Sequence, residues 1–187
     1  DASRDPEAVR TMFGRIAGRY DLANHLLSGG ADLLWRTRAA QTVEGWKPDS
    51  VLDVATGSGD LALAIQRRLP GARITAADFS PEMLEIARQK GVRETVLADA
   101  LNLPFADGSF NCVTVAFGLR NMRDWNLALR EMGRVLTANG HLLVLDFSLP
   151  NGMLRSMYRF YLHRCLPILA SLVTGDQAAY EYLGGSI

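Results

Sequence analysis

The spacing of hydrophobic positions changes period in a regular way along the chain. Val9, Met12, Phe13 and Ile16 recur at helical spacing behind Asp5-Pro6-Glu7, an N-cap followed by proline at the first helical position, so the chain is predicted to begin helical. A second apolar helix is expected over residues 33–43. After the breaker Lys47-Pro48 the period shortens to the buried run Val51-Leu52-Asp53-Val54, a first strand. The pattern then predicts a helix over 61–69, a strand over 74–77, a helix over 81–90 and strands over 95–98 and 112–117. A helix over 125–136, a turn at Asn139-Gly140 and a strand over 142–147 complete it. Ser80-Pro81-Glu82 marks a helix start, a hydroxyl cap before proline.

Strands alternating with helices imply an α/β fold, a Rossmann-like doubly wound, mostly parallel sheet with helices on both faces. Near-continuous apolar strands agree with a sheet buried on both sides, and such sheets bind ligands beyond the carboxyl ends of their strands, where the strand order reverses. After Pro150 the regularity gives way to an aromatic and apolar stretch over 153–173, interrupted by Pro167 and carrying Arg155, Arg159 and Arg164. That stretch reads as a helical lid over a substrate site, or as a surface touching a membrane. Residues 152–175 are expected to be the most mobile ordered part.

Composition narrows the picture. With 187 residues, 48% of them hydrophobic, the chain is long enough for one domain, divided into N-terminal helices (1–47), an α/β core (48–150) and a substrate-facing segment (151–187). Twenty basic and 20 acidic residues leave no net charge to attract nucleic acid or anionic lipid, so any membrane contact must be local. Cys112 and Cys165 sit far apart in apolar surroundings, which fits reduced thiols in a cytoplasmic protein and a packing role for each. No uncharged apolar run approaches the roughly 20 residues of a membrane span, and no signal pattern opens the chain, which starts at Asp1 and reads as trimmed. His141 and His163 read as a strand residue and an interfacial one, and no spacing suggests a metal site.

The chemistry concentrates after the first strand. Asp53-Val54-Ala55-Thr56-Gly57-Ser58-Gly59-Asp60 closes that strand and opens a helix, where a glycine-rich turn lets backbone approach a ligand. Gly57, Gly59 and Ala62 also satisfy the dinucleotide pattern, which keeps an NAD-dependent oxidoreductase as a rival. Asp53 weighs against it: a carboxylate there can fix the loop or meet a cationic ligand, but gains nothing beside a pyrophosphate. Asp78 ends the second strand, placed to accept ribose hydroxyls, and Asp99-Ala100 follow the third, placed to receive an adenine amine.

These residues resemble a family. Asp53 to Asp60 is similar to the first motif of class I methyltransferases, with Ala55 at a position often held by glycine. Phe117-Gly118-Leu119-Arg120-Asn121, Glu131-Met132-Gly133-Arg134-Val135-Leu136 and Asp146-Phe147-Ser148-Leu149-Pro150 resemble the narrower signatures of the ubiquinone and menaquinone biosynthesis C-methyltransferases. So do Arg19-Tyr20-Asp21-Leu22-Ala23-Asn24 and the tyrosine-rich residues 179–187. Asp32-Leu33 replaces the family's usual His-Arg pair, and Ala23 a common methionine. The resemblance implies S-adenosylmethionine as cofactor, held by Asp53, Gly57, Ser58, Gly59, Asp78, Asp99 and Ala100, with Ala116 near the methionine end and Phe79 and Met83 near adenine. It implies a reduced isoprenoid quinol facing Tyr20, Asp21, Asn24, Arg120 and Asn121. It further implies a last strand pair beyond Ile187.

In such a reaction the ring carbon becomes nucleophilic when a neighbouring hydroxyl loses its proton, which needs a base and a stabilised phenolate. A guanidinium keeps its proton at physiological pH, so Arg120 and Asn121 are expected to stabilise the oxyanion, with Tyr20, Asp21, His25 or a water as base. The expected partners are the quinol, a local contact at the inner face of the membrane and a second copy of the chain, without nucleic acid. A non-catalytic quinone-binding subunit with the same fold is the remaining rival.

Overall fold

The computed structural model of the chain describes Ser28 and residues 30–146. The expected first helix, Tyr20, Asp21, Asn24, His25, His163, Cys165, the lid over 152–175 and the tyrosine-rich end lie outside those residues.

Five parallel strands form one sheet: β1 (Ser50–Val54), β2 (Arg73–Asp78), β3 (Glu94–Leu97), β4 (Phe110–Ala116) and β5 (Leu136–Leu145). Their order, β3-β2-β1-β4-β5, reverses between β1 and β4. The helices are α1 (Ala31–Trp46), α2 (Asp60–Arg68), α3 (Pro81–Lys90) and α4 (Trp125–Val135), and a 3₁₀ turn (Leu119–Asn121) follows β4. Each expected strand and helix within the described residues is present, with ends displaced by a few residues.

Alternation along the strands divides the core into two layers. Val51, Ile74, Ala76 and Cys112 pack with α1, α2 and α3, while Leu52, Val54, Val113 and Val115 pack with Leu103, Phe110 and α4. This two-sided burial is why the strands read as continuous apolar runs. Burial pushes the Cys112 thiol up to about 12, which leaves it a small hydrophobe.

The element boundaries follow local chemistry. Ser80 caps α3, its hydroxyl accepting from the Met83 N–H at 3.3 Å, with Pro81 inside the first turn. Asp124 caps α4 through the Leu127 N–H at 2.9 Å. At the start of α1, Ser28 Oγ donates to Asp32 Oδ1 (2.8 Å) and accepts from the Asp32 N–H (3.1 Å), so the buried Asp32 serves the helix start.

One local expectation is corrected. Asn139-Gly140 does not form a free turn before the last strand but lies within β5, where the register slips: Phe110 pairs with Leu136, and Cys112 next with His141. The turn chemistry is spent on this bulge. A Cβ on Gly140 would sit 2.7 Å from Leu136 Cδ2 and 3.0 Å from the Asn111 carbonyl oxygen, so the close backbone approach favours glycine.

Candidate active site

The sequence-predicted residues among those described follow the carboxyl ends of β1, β2, β3 and β4, the edge at which parallel sheets open a crevice where the strand order reverses. The loop after β1 is braced from below. Asp53, fully buried, accepts from Thr56 Oγ1 and from Thr114 Oγ1 of the neighbouring β4, both at 2.6 Å. Burial raises its carboxyl above the ordinary value, and the two hydroxyls partly offset that. Of the two roles open to Asp53 in the sequence, the geometry displays the fixing of the loop. The sequence reading assigns no role to Thr56 or Thr114; for Thr114 the available signal is a lone hydroxyl in the apolar run of β4.

The glycines are required for separate reasons. Gly57 (φ 56°) donates its N–H to Asp78 Oδ2 at 2.8 Å. Gly59 (φ 84°) caps α2 with α3 so close that a Cβ would stand 2.9 Å from Ala87 Cβ and 2.7 Å from Val92 Cγ2. Ala55 adopts φ 52° without being glycine, a strained backbone at the hinge of the loop. Ser58 is buried within this turn.

Asp78 ends β2 beside that loop, accepting from Gly57 and, through Oδ1, from the Ser80 N–H at 3.0 Å. Burial lifts its carboxyl to about 6 against these backbone donors. Phe79 is half-buried directly beyond it, and Met83 is buried beneath. Asp99 and Ala100 follow β3; Asp99 is exposed and accepts from the Leu101 N–H at 2.9 Å. Behind them Arg134 of α4 ties down the approach to β4. It donates to the carbonyls of Leu103 (3.0 Å) and Phe105 (2.8 Å), to Asp107 (2.8 Å) and to Glu131 (2.8 Å), which gives the Glu131–Arg134 motif a bracing role.

The second half of the site follows β4. Ala116 ends the strand, and the buried Phe117 takes φ 58°, a conformation costly for a bulky residue. It is held there from α1: Trp35 lies against its ring (6.3 Å between centroids) and the buried Arg36 guanidinium lies over it at 5.3 Å. Arg36 also donates to Asp60 at 3.1 Å, linking α1 to the start of α2. In the 3₁₀ turn, Asp146, the residue after β5, grips Arg120 twice, accepting from its backbone N–H (3.2 Å) and from Nη1 (2.7 Å). Both side chains are largely buried, 10% and 19% exposed. Asn121 Nδ2 donates to the Phe117 carbonyl at 3.4 Å. The sequence had marked Asp146 as part of a motif without a role; only the pairing of β4 with β5 brings it to Arg120.

The donor set tests which nucleotide fits. Residues 55–59 carry no basic side chain, and Asp53 and Asp60 flank them, an arrangement suited to hydroxyl and amine donors and adverse to a pyrophosphate. Fold and site together define a methyltransferase that uses S-adenosylmethionine. The model of the ubiE/COQ5 methyltransferase family matches residues 2–187, and the chain belongs to that family. Demethylmenaquinone methyltransferase of Thermus thermophilus is 50% identical over 182 residues, covering 94% of this chain and 83% of that protein. The ubiquinone/menaquinone biosynthesis C-methyltransferase UbiE of Geotalea daltonii is 40% identical, covering 97% and 80%. Among solved structures, an S-adenosylmethionine-dependent methyltransferase of Thermotoga maritima is similar with a TM-score of 0.61 and 25% identity, over 83% of this chain and 70% of that one. Neither the oxidoreductase nor the non-catalytic reading finds support in these likenesses.

Proposed function

We propose that the protein methylates a ring carbon of a reduced isoprenoid quinone precursor, with demethylmenaquinol, the substrate class named in its relatives, as the preferred acceptor over a ubiquinone-pathway benzoquinol. The observation that carries this is the Asp146-anchored Arg120 beside Asn121 at the switch point, next to the carboxylate-lined nucleoside end.

Bound S-adenosylmethionine supplies an electrophilic methyl group on a sulfonium. Asp78 and Asp99 would accept from the ribose and the adenine amine, with Gly57, Ser58 and Gly59 shaping the turn, Ala100, Phe79 and Met83 bordering the base and Ala116 near the methionine end. Arg120, kept in place by Asp146, would hold the phenolate as charge moves toward the ring carbon, so that alignment does most of the remaining work. Tyr20 and Asp21 are our candidates for the base. A membrane-bound tail would approach from the side of α1, where Leu33 and Leu34 are 55% and 60% exposed. Such contact would be peripheral, at the cytoplasmic face; no described helix is long and apolar enough to cross a membrane.

The test is methyl transfer to reduced demethylmenaquinone and to the reduced ubiquinone precursor, side by side. The expected result is faster turnover of the naphthoquinol. Transfer to neither quinol overturns the reading.

A further inference from the structure

Asn121 carries an anomaly. Its side-chain oxygen Oδ1 is buried and has no hydrogen-bond partner among the described residues. A buried acceptor left unpaired is costly, so its persistence calls for a reason. The amide cannot relieve the cost by flipping. Its Nδ2 donates to the Phe117 carbonyl, and a flipped amide would set oxygen against oxygen there. That carbonyl is presented by a backbone forced to φ 58°, pinned by Trp35 and Arg36. The acceptor end of Asn121 is thereby the end left without a partner, one residue after Arg120 in the same turn. The amide thus differs from the expectation for this residue: its unpaired end is an acceptor, which repels an oxyanion and suits a hydroxyl.

We infer that Asn121 reads the redox state of the ring, its Oδ1 accepting a hydroxyl proton that a quinol has and an oxidised quinone lacks. The inference rests on the quinol reading above. The oxidised and reduced rings share a size and an outline, so shape separates them poorly, whereas a buried acceptor facing a quinone carbonyl leaves two acceptors unpaired. Arg120 cannot make the distinction, because a guanidinium donates to a carbonyl and to a phenolate alike. The two neighbours divide the labour: Arg120 steadies the oxygen that becomes negative, and Asn121 selects the reduced ring for which that step is available.

The experiment measures binding of a one-isoprene demethylnaphthoquinone and of its dithionite-reduced quinol under argon, with S-adenosylhomocysteine present so that no turnover occurs. The wild-type protein is expected to bind the quinol about tenfold or more tightly than the quinone, the scale of one hydrogen bond to an otherwise unpaired buried acceptor. In Asn121→Leu, of similar shape, the ratio should fall below about threefold through loss of quinol binding alone, while S-adenosylhomocysteine still binds. Equal wild-type affinities, or a retained preference in Asn121→Leu with intact cofactor binding, would each overturn the inference. Methyl transfer by the same wild-type sample separates the two ideas: transfer with equal affinities removes only the role of Asn121, whereas transfer to no quinol removes the functional reading.

Discussion

The two halves of the active site differ in how their buried acceptors are satisfied. On the β1–β3 side the buried carboxylates are engaged by protein donors, Asp53 by two hydroxyls and Asp78 by two backbone N–H groups, and the turn between them is packed against α3. On the β4–β5 side Asn121 Oδ1 is buried with no hydrogen-bond partner among the described residues, and the backbone is strained at Phe117 as it is at Ala55 of the first loop. Satisfied groups make a rigid cradle that any nucleoside of the right shape can use. An unsatisfied buried group marks where the protein waits for a particular partner. Binding and chemistry should therefore separate by mutation along this line.

The largest effect is expected at Arg120. By analogy with the loss of one oxyanion donor, Arg120→Ala should lower kcat roughly a hundredfold or more, about 2.7–4 kcal/mol, with cofactor affinity within about threefold. Lysine should rescue only in part, since it keeps the charge without the planar fork. A wild-type kcat in Arg120→Ala, or a defect confined to cofactor binding, would assign Arg120 to structure instead.

Gly59→Ala attacks the other half. A left-handed φ and an overlap with Ala87 and Val92 together should cost about 2–3 kcal/mol of folding stability, read by chemical denaturation, and should weaken S-adenosylhomocysteine binding. Unchanged stability would mean that α3 yields easily and that the cradle is softer than its packing implies.

Asp78→Ala should weaken cofactor binding by about 1–3 kcal/mol, measured by calorimetry. The same residue sets a pH dependence. Its carboxyl stands at about 6 in the fold against 3.8 ordinarily, so the protonated form is favoured by folding. That contribution to stability of the free protein is full below about pH 3.8 and is lost as pH rises through about 6. Ribose hydroxyls donate to the ionised form, so cofactor affinity should run the opposite way, rising between pH 5 and about 7 and levelling above. Asp78→Asn should flatten that profile; an identical profile in the variant would remove Asp78 from the ribose.

The smallest effect is expected at Asp146, which acts through Arg120. Asp146→Asn keeps an acceptor for the Arg120 backbone but loses the charge, and should lower kcat about tenfold, about 1.4 kcal/mol, with little change in KM. Because the two residues form one unit, Asp146→Asn placed on Arg120→Ala should add almost nothing. Additive losses would show that Asp146 works independently of Arg120.

Hydrophobic period alone specified the alternating elements, and a parallel sheet whose ligand edge lies at its carboxyl ends follows from them by general rules of strand pairing and handedness. The glycine turn and the strand-end acids were legible because each depends on its immediate neighbours: a left-handed φ, a helix start, a carboxylate closing a strand. The residues that give the site its character depend on neighbours far along the chain. Thr114 reaches Asp53 only because β4 pairs with β1, Asp146 reaches Arg120 only because β5 pairs with β4, and Phe117 is held strained by α1, some 80 residues earlier. The bulge at Asn139-Gly140 belongs with these, since a turn signal is local but its use inside a strand is decided by register. Local propensity is written in the residues that obey it; which carboxylate meets which cation, and which acceptor is left open, is settled only when distant strands lie side by side.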